Sequence, residues 1–116
     1  MNKTQTILGL KEIYNKYDTF ILDQWGVMHD GDQGYLNAIK CVDKLFSFNK
    51  TLIIISNSSK RKGTTALRLP ELGFNQHYFK EIMTSGEIIW QSLLNENHVE
   101  TKNIGKNCFH IYDKSK

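Results

Sequence analysis

Short apolar runs alternate with segments of helical period along this chain, and the alternation predicts its elements. Leu10, Ile13, Tyr14 and Tyr17 recur at helical spacing, which predicts a first helix. Thr19-Phe20-Ile21-Leu22 is a short, partly β-branched run that stops at Asp23 and reads as a buried strand. Asp23 to Gly34 carries three glycines and three aspartates in twelve residues, the composition of a loop. Tyr35 to Asn49 resumes a helical stripe through Ile39, Val42, Leu45 and Phe46, with Lys40, Asp43 and Lys44 on the other side. Leu52-Ile53-Ile54-Ile55 is the most strand-like run, apolar on both faces as in a parallel sheet covered by helices, and it ends in Ser56-Asn57-Ser58-Ser59. Lys60 to Leu72 is predicted helical with a break near Leu69, because Pro70 removes a backbone donor and disfavours helix before it. Glu81 to Thr84 is a further short strand. Thr84-Ser85-Gly86-Glu87 has the form of a capping box ahead of Ile88, Ile89, Trp90, Leu93 and Leu94, so a helix is expected to start there. Cys108 to Tyr112 is expected as a fourth strand. The order β-α-β-α-β-α-β, with helix-length connections, implies an α/β fold: a parallel sheet with right-handed crossovers.

Composition narrows the class. The 116 residues have the size of one domain, and 40% hydrophobic with 23% charged residues excludes both disorder and an all-apolar membrane protein. A net charge of +3 without a concentrated Lys/Arg stripe gives no support to a nucleic-acid partner. No apolar run reaches 18 residues, so no membrane partner is expected. Cys41 and Cys108 lie outside any CxxC or Cys/His cluster and read as buried small hydrophobes in a reducing compartment. A cytoplasmic protein is the expectation.

In a parallel α/β sheet, ligands bind outside the carboxyl ends of the strands. Two strands here end in polar groups. One puts the Asp23 carboxylate at its tip, followed by Gly26, whose backbone can approach a ligand closely. The other ends in the Ser56 hydroxyl and the amides after it. A carboxylate beside hydroxyl and amide donors suits an acid acting as nucleophile or metal ligand, with the donors holding an anion. Lys60, Arg61 and Lys62 open the next helix, where the macrodipole disfavours each cation by about 0.3–1 kcal/mol unless an anion is near. Plainer readings stand beside these: a turn aspartate, a polar N-cap loop and a solvated basic face. His29 with Asp30 and Asp32 reads as a polar turn more readily than as a metal site.

The runs Phe20-Ile21-Leu22-Asp23-Gln24-Trp25-Gly26-Val27-Met28-His29-Asp30-Gly31, Ile55-Ser56-Asn57-Ser58-Ser59-Lys60-Arg61, Leu72-Gly73-Phe74 and Met83-Thr84-Ser85-Gly86-Glu87 resemble, in order and spacing, the haloacid dehalogenase (HAD) superfamily. They are most similar to subfamily IIA, the sugar-phosphate and nitrophenyl-phosphatase type, and the resemblance runs from about Tyr17 onward. It implies a Rossmann-like core with helices on both faces of the sheet, Mg²⁺ as cofactor, a phosphorylated small molecule as partner and an aspartyl-phosphate mechanism. Asp23 matches the motif I nucleophile and a metal ligand, and the Trp25 carbonyl falls at a second ligand position. Backbone amides at Trp25 and Gly26 match those that hold the phosphoryl group, and Ser56, with Asn57 beside it, matches the motif II hydroxyl. Phosphoryl transfer needs chiefly positioning and charge neutralisation, which agrees with these roles.

Two departures qualify the resemblance. Ordinary phosphatases of the family carry a second aspartate where Trp25 stands, and indole has no proton to exchange near neutral pH. General acid–base catalysis is worth roughly 10²–10⁴, so hydrolysis of poor leaving groups is expected to be slow. A related branch also carries tryptophan followed by His-Asp-Gly, and His29 is a candidate replacement acid/base. The family's cap domain, motif III lysine and motif IV acids follow a strand like Cys108 to Tyr112. Lys60 follows motif II and does not stand in for that lysine. Residues 1–116 are therefore expected to be the N-terminal part of a HAD-like core, with motif I near 20–31 and motif II near 52–61, lacking the cap and the C-terminal core. Self-association through the uncovered half-core is expected. The alternatives are a non-catalytic module that binds a phosphorylated metabolite, and a degenerate fragment without independent function.

Overall fold

A computed structural model describes residues 4–95, 98, 99, 101–105 and 107–112. Three strands, β1 (Thr19–Leu22), β2 (Thr51–Ser56) and β3 (Phe79–Thr84), form one parallel sheet in the order β1-β2-β3. Helix α1 (Leu36–Ser47) connects the first pair, α2 (Lys62–Arg68) the second, and α3 (Ser85–Leu94) follows β3. This is the expected parallel α/β arrangement.

Helices α1 and α2 end for legible reasons. Past α1, Asn49 takes the left-handed conformation at φ 56°, and the Asn49 and Lys50 N–H groups donate to the Phe46 and Leu45 carbonyls at 2.9 and 3.0 Å. These bonds satisfy carbonyls that the helix end leaves open, and asparagine tolerates that backbone better than most residues. Helix α2 stops at Arg68, two residues before Pro70, and a single 3₁₀ turn over Pro70–Leu72 replaces the rest of the expected helix.

The core lies on one face of the sheet. Leu52 and Ile54 of β2 are fully buried with Phe20, Val42, Leu45, Leu69, Leu72, Phe74 and Ile82. Full burial of each such side chain contributes about 1.5–3 kcal/mol. Side chains alternate along a strand, so Ile21 and Ile55 point to the opposite face, where they are 63% and 50% exposed. Right-handed crossovers in one direction put α1 and α2 on the same side, which leaves this second face open around Ile21 and Ile55.

Three expectations need correction. The segment Leu10–Tyr17 is not a helix but two 3₁₀ turns, Leu10–Glu12 and Tyr14–Lys16. A segment that short cannot offset its nucleation cost, and no side chain caps it at Gly9. Cys108–Tyr112 forms no strand. Phe109 and Ile111 are 91% and 85% exposed, because an apolar run becomes a strand only where a sheet edge pairs its backbone. Cys108 is accordingly exposed rather than buried, whereas Cys41 is half-buried, its thiol pKa pushed up by burial. Among the described residues, no helix is long and apolar enough to cross a membrane.

Candidate functional site

The pairing register assembles the site. Leu22 of β1 lies opposite Ile54 of β2, so one further step puts Asp23 level with Ile55, and the next puts Gln24 level with Ser56. Ser56 in turn pairs with Thr84 at the end of β3. Neighbouring strands lie about 4.8 Å apart, so these polar groups share one carboxyl edge.

Loop I (Asp23 to Gly34) closes on its own backbone. The Gln24 carbonyl accepts from the N–H groups of Val27, Met28 and His29 at 3.2, 2.7 and 3.3 Å, and Gly26 N–H donates to the His29 carbonyl at 2.9 Å. This short ladder uses the peptide groups on either side of Trp25, leaving the Trp25 N–H and C=O uncommitted among the described residues. The Asp23 side chain is exposed and spends one oxygen accepting the Gln24 N–H at 2.8 Å. The Trp25 indole is 60% exposed and lies against Gly31, whose φ of +106° and missing Cβ make room for it.

His29 is 5% exposed and packs edge-on to the Trp25 ring, with centroids 5.4 Å apart. Its Nδ1 accepts the Gly31 N–H at 3.0 Å, which fixes the neutral tautomer with the proton on Nε2. Burial lowers its pKa from 6.5; nearby Asp30 and Asp23 oppose the shift, and Arg68 assists it. The lone pair that would take a proton is thus occupied, which weighs against His29 as the replacement acid/base. The polar-turn reading of its neighbours fits the geometry, since Asp30 Oδ1 accepts from the Asp32 and Gln33 N–H groups at 3.0 and 2.9 Å.

Loop II (Asn57 to Arg61) is held differently. Ser56 is buried at the end of β2, its hydroxyl accepting the Ser58 N–H at 3.3 Å, and Asn57 is exposed beside it with no protein partner among the described residues. The rest of the loop is fastened to the start of α3. Thr84 Oγ1 donates to the Lys60 carbonyl at 2.6 Å and accepts the Glu87 N–H at 3.0 Å. Gly86 N–H donates to the Ser58 carbonyl at 3.0 Å. Glu87, 2% exposed, accepts Arg61 Nε at 2.7 Å, Arg61 Nη2 at 3.3 Å and the Lys62 N–H at 3.2 Å. Arg61 lies over the Trp90 ring with its central carbon 3.4 Å from the centroid. These contacts hold the Glu87 carboxyl down to about 2, Arg61 contributing most.

The anticipated capping box is therefore half formed. The Thr84 hydroxyl caps α3, but the Glu87 carboxylate reaches loop II instead of its own helix start. The basic run is largely explained within the chain, since Arg61 pairs with Glu87 and Lys62 with Glu81 at 3.1 Å. Lys60 alone of the three forms no ion pair among the described residues. It lines, with Trp25, His29, Ser58, Thr64 and Arg68, a cleft of about 350 Å³ between the two loops and α2. A larger cavity of about 770 Å³, between the N-terminal turns and α1, contains none of the motif residues.

Asp23, Trp25, Gly26, Ser56 and Asn57, singled out in the sequence, share this edge. The Gly26 N–H expected to hold a phosphoryl group donates to the His29 carbonyl instead, and of the five only Trp25 lines the cleft. The fastening roles of Thr84, Glu87 and Arg61 were not anticipated. The signal available was three successive cations beside a strand tip with one carboxylate, Glu87, left over in an apolar helix.

The family described as Haloacid dehalogenase-like hydrolase matches residues 20–115. A solved structure described as a hydrolase of the haloacid dehalogenase-like family from Brucella suis 1330 superposes with a TM-score of 0.62 at 27% identity. The match covers 71% of this chain and 32% of that one, so the present chain spans about a third of that protein. No curated protein matches. With the family match extending over most of its length, the chain belongs to the haloacid dehalogenase-like hydrolases.

Proposed function

We propose that this chain carries the nucleophile and anion-holding loops of a subfamily IIA phosphoester hydrolase, acting in the cytoplasm on a phosphorylated small molecule through an aspartyl-phosphate at Asp23. The observation that carries this reading is the convergence, by strand register, of Asp23, the uncommitted peptide groups of Trp25 and the Ser56 hydroxyl at one sheet edge. One Asp23 oxygen remains available for attack on phosphorus. Ser56 and Asn57 donate to the phosphoryl oxygens, and Lys60 adds positive charge from the neighbouring cleft that Trp25 also lines.

The donor set fits Mg²⁺ in part. The Asp23 oxygen that accepts the Gln24 N–H keeps a second lone pair, and it and the Trp25 carbonyl are hard oxygen ligands. Mg²⁺ is commonly held by one or two carboxylates with water and substrate phosphate filling the rest. Among the described residues no group of three or more His, Cys, Asp or Glu gathers around a metal position. When bound, the ion supplies charge neutralisation to the phosphoryl group.

Trp25 supplies no proton, and the His29 lone pair is engaged, so protonation of the leaving group falls to water or to the substrate itself. Turnover of esters with poor leaving groups is slowed by roughly 10²–10⁴ relative to a site with a second aspartate. The test is acid-quench trapping of a phosphoryl group from para-nitrophenyl phosphate with Mg²⁺. Label is expected on Asp23 and absent in Asp23→Asn; label that persists in that variant defeats the assignment. The same tryptophan favours a second reading, a module that binds a phosphorylated metabolite without hydrolysing it. Phosphate binding with no trapped label and no nitrophenol release would establish that reading instead.

A further inference from the structure

We propose that Thr84, Glu87 and Arg61 are positioning residues for the phosphate loop, setting where Ser56 and Asn57 stand without themselves touching the substrate. The inference rests on the anion-site reading above and adds residues from α3 and its cap to it.

Loop II has little support of its own. Within it, the Ser58 and Lys60 N–H groups are held by the Ser56 and Ser58 hydroxyls at 3.3 and 3.2 Å. At its end the Arg61 carbonyl accepts the Thr65 N–H of α2 at 3.2 Å, and the remaining anchors come from β3 and α3, 24 or more residues away in sequence. Thr84 Oγ1 takes the Lys60 carbonyl, Gly86 N–H takes the Ser58 carbonyl, and Glu87 takes both the Arg61 guanidinium and the Lys62 N–H. Thr84 is fully buried and Glu87 nearly so. Buried bonds of this kind hold one geometry, since each polar group is left unsatisfied if the loop moves. The Trp90 ring covers one face of the Arg61 guanidinium while the Glu87 carboxylate bonds its edge.

Two consequences separate positioning from mere support. The bonds from Thr84 and Gly86 to the Lys60 and Ser58 carbonyls fix the path of the loop that begins at Ser56 and Asn57, beside the strand end that carries Asp23. Removing the Thr84 hydroxyl while keeping its shape frees the Lys60 carbonyl and lets the donors at Ser56 and Asn57 drift, at a cost to anion binding that exceeds any loss of fold. A misplacement of about 1 Å is enough to cost up to 10²-fold where binding depends on geometry.

The test uses the full chain with inorganic phosphate and MgCl₂ as the probe, read from the amide shifts of Ser56 and Asn57 well below the melting temperature. Thr84→Val is expected to weaken phosphate binding about tenfold, and Thr84→Ser, which restores the hydroxyl, to return it to within about twofold of wild type. Glu87→Gln, which keeps the shape but not the charge, is the second variant and is expected to weaken binding in the same direction. Should either variant melt lower yet bind phosphate like wild type, the residues are structural supports and the inference is overturned. A wild-type chain whose Ser56 and Asn57 amides ignore phosphate overturns the anion-site reading and this inference together. A wild type that responds while Thr84→Val responds equally overturns the inference alone.

Discussion

Loop I and loop II meet at the same sheet edge but are held there by opposite means. Loop I is mostly local: the Gln24 carbonyl gathers three N–H groups, His29 pins Gly31, and Trp25 lies on the same glycine, with one remote bond from Arg68 Nη2 to the Gly31 carbonyl at 3.2 Å. Loop II is remote, anchored by Thr84, Gly86 and Glu87. Candidate motif I is thus carried by a segment closed mostly by its own peptide groups, with Met28 seated in the core, whereas loop II depends on β3 and α3 being in place. Local contacts close at small entropic cost, and remote ones form only after the intervening sheet has assembled.

The sharpest way to break this contrast is at the two glycines. A Cβ on Gly86 would overlap the Ser59 carbonyl, and backbone cannot swing aside as a side-chain tip can. Gly86→Ala is expected to destabilise the chain by about 3 kcal/mol, the upper range for overpacking. Thermal melts check it, and a change below about 0.5 kcal/mol would show that loop II is not pressed against α3.

Next in size is the acid response of Glu87. Its folded pKa of about 2 lies below the ordinary 4.5, so between those values the unfolded chain binds more protons and stability rises with pH. The contribution is complete above about pH 4.5 and is lost as pH falls toward 2. Glu87→Gln is expected to show a flatter loss of melting temperature across that window than wild type. Parallel curves would mean that the Arg61 pair does not hold loop II in solution.

At Gly31 the obstruction to a methyl group is the far end of the Trp25 ring, an exposed side chain that can swing away. What remains is the positive φ, worth roughly 1–2 kcal/mol. Gly31→Ala is therefore expected to cost less than Gly86→Ala in denaturant titrations, although both introduce the same single methyl. The reverse order would remove the distinction between a self-supporting and a dependent loop.

The sequence disclosed the two loops unequally, for the same physical reason. Strand ends, Asp23, Ser56 and the break at Pro70 are local signals, written in runs and in residues with fixed backbone preferences. The tie from Glu87 to Arg61 spans 26 residues, and no period or turn chemistry records it. The Thr84-to-Glu87 pattern pointed correctly to a helix start, yet could not say that the carboxylate would find a guanidinium more rewarding than its own helix's free N–H. The apolar run of β2 predicted a parallel sheet with both faces covered, and the sheet is there with Ile54 buried, but Ile55 is half exposed on the other face. Cys108 to Tyr112 has the pattern of a strand but pairs with neither open edge of the sheet, at β1 or at β3.

The smallest effect expected belongs to His29, the pin of loop I. Burial holds its pKa below 6.5, so below that pH the unfolded chain takes up a proton that the folded chain resists. Stability contributed through the neutral ring is therefore full above about pH 6.5 and declines as pH falls below it. Protonation would place a hydrogen on Nδ1, where it would face the Gly31 N–H and break the bond that closes the turn. His29→Gln should flatten the melting curve between about pH 7 and pH 5, with little change at Ser56 and Asn57 in amide spectra. If acidification over this range instead shifted loop II amides as strongly as those of loop I, the two loops would be one coupled unit, and the independence of the nucleophile's segment would fail.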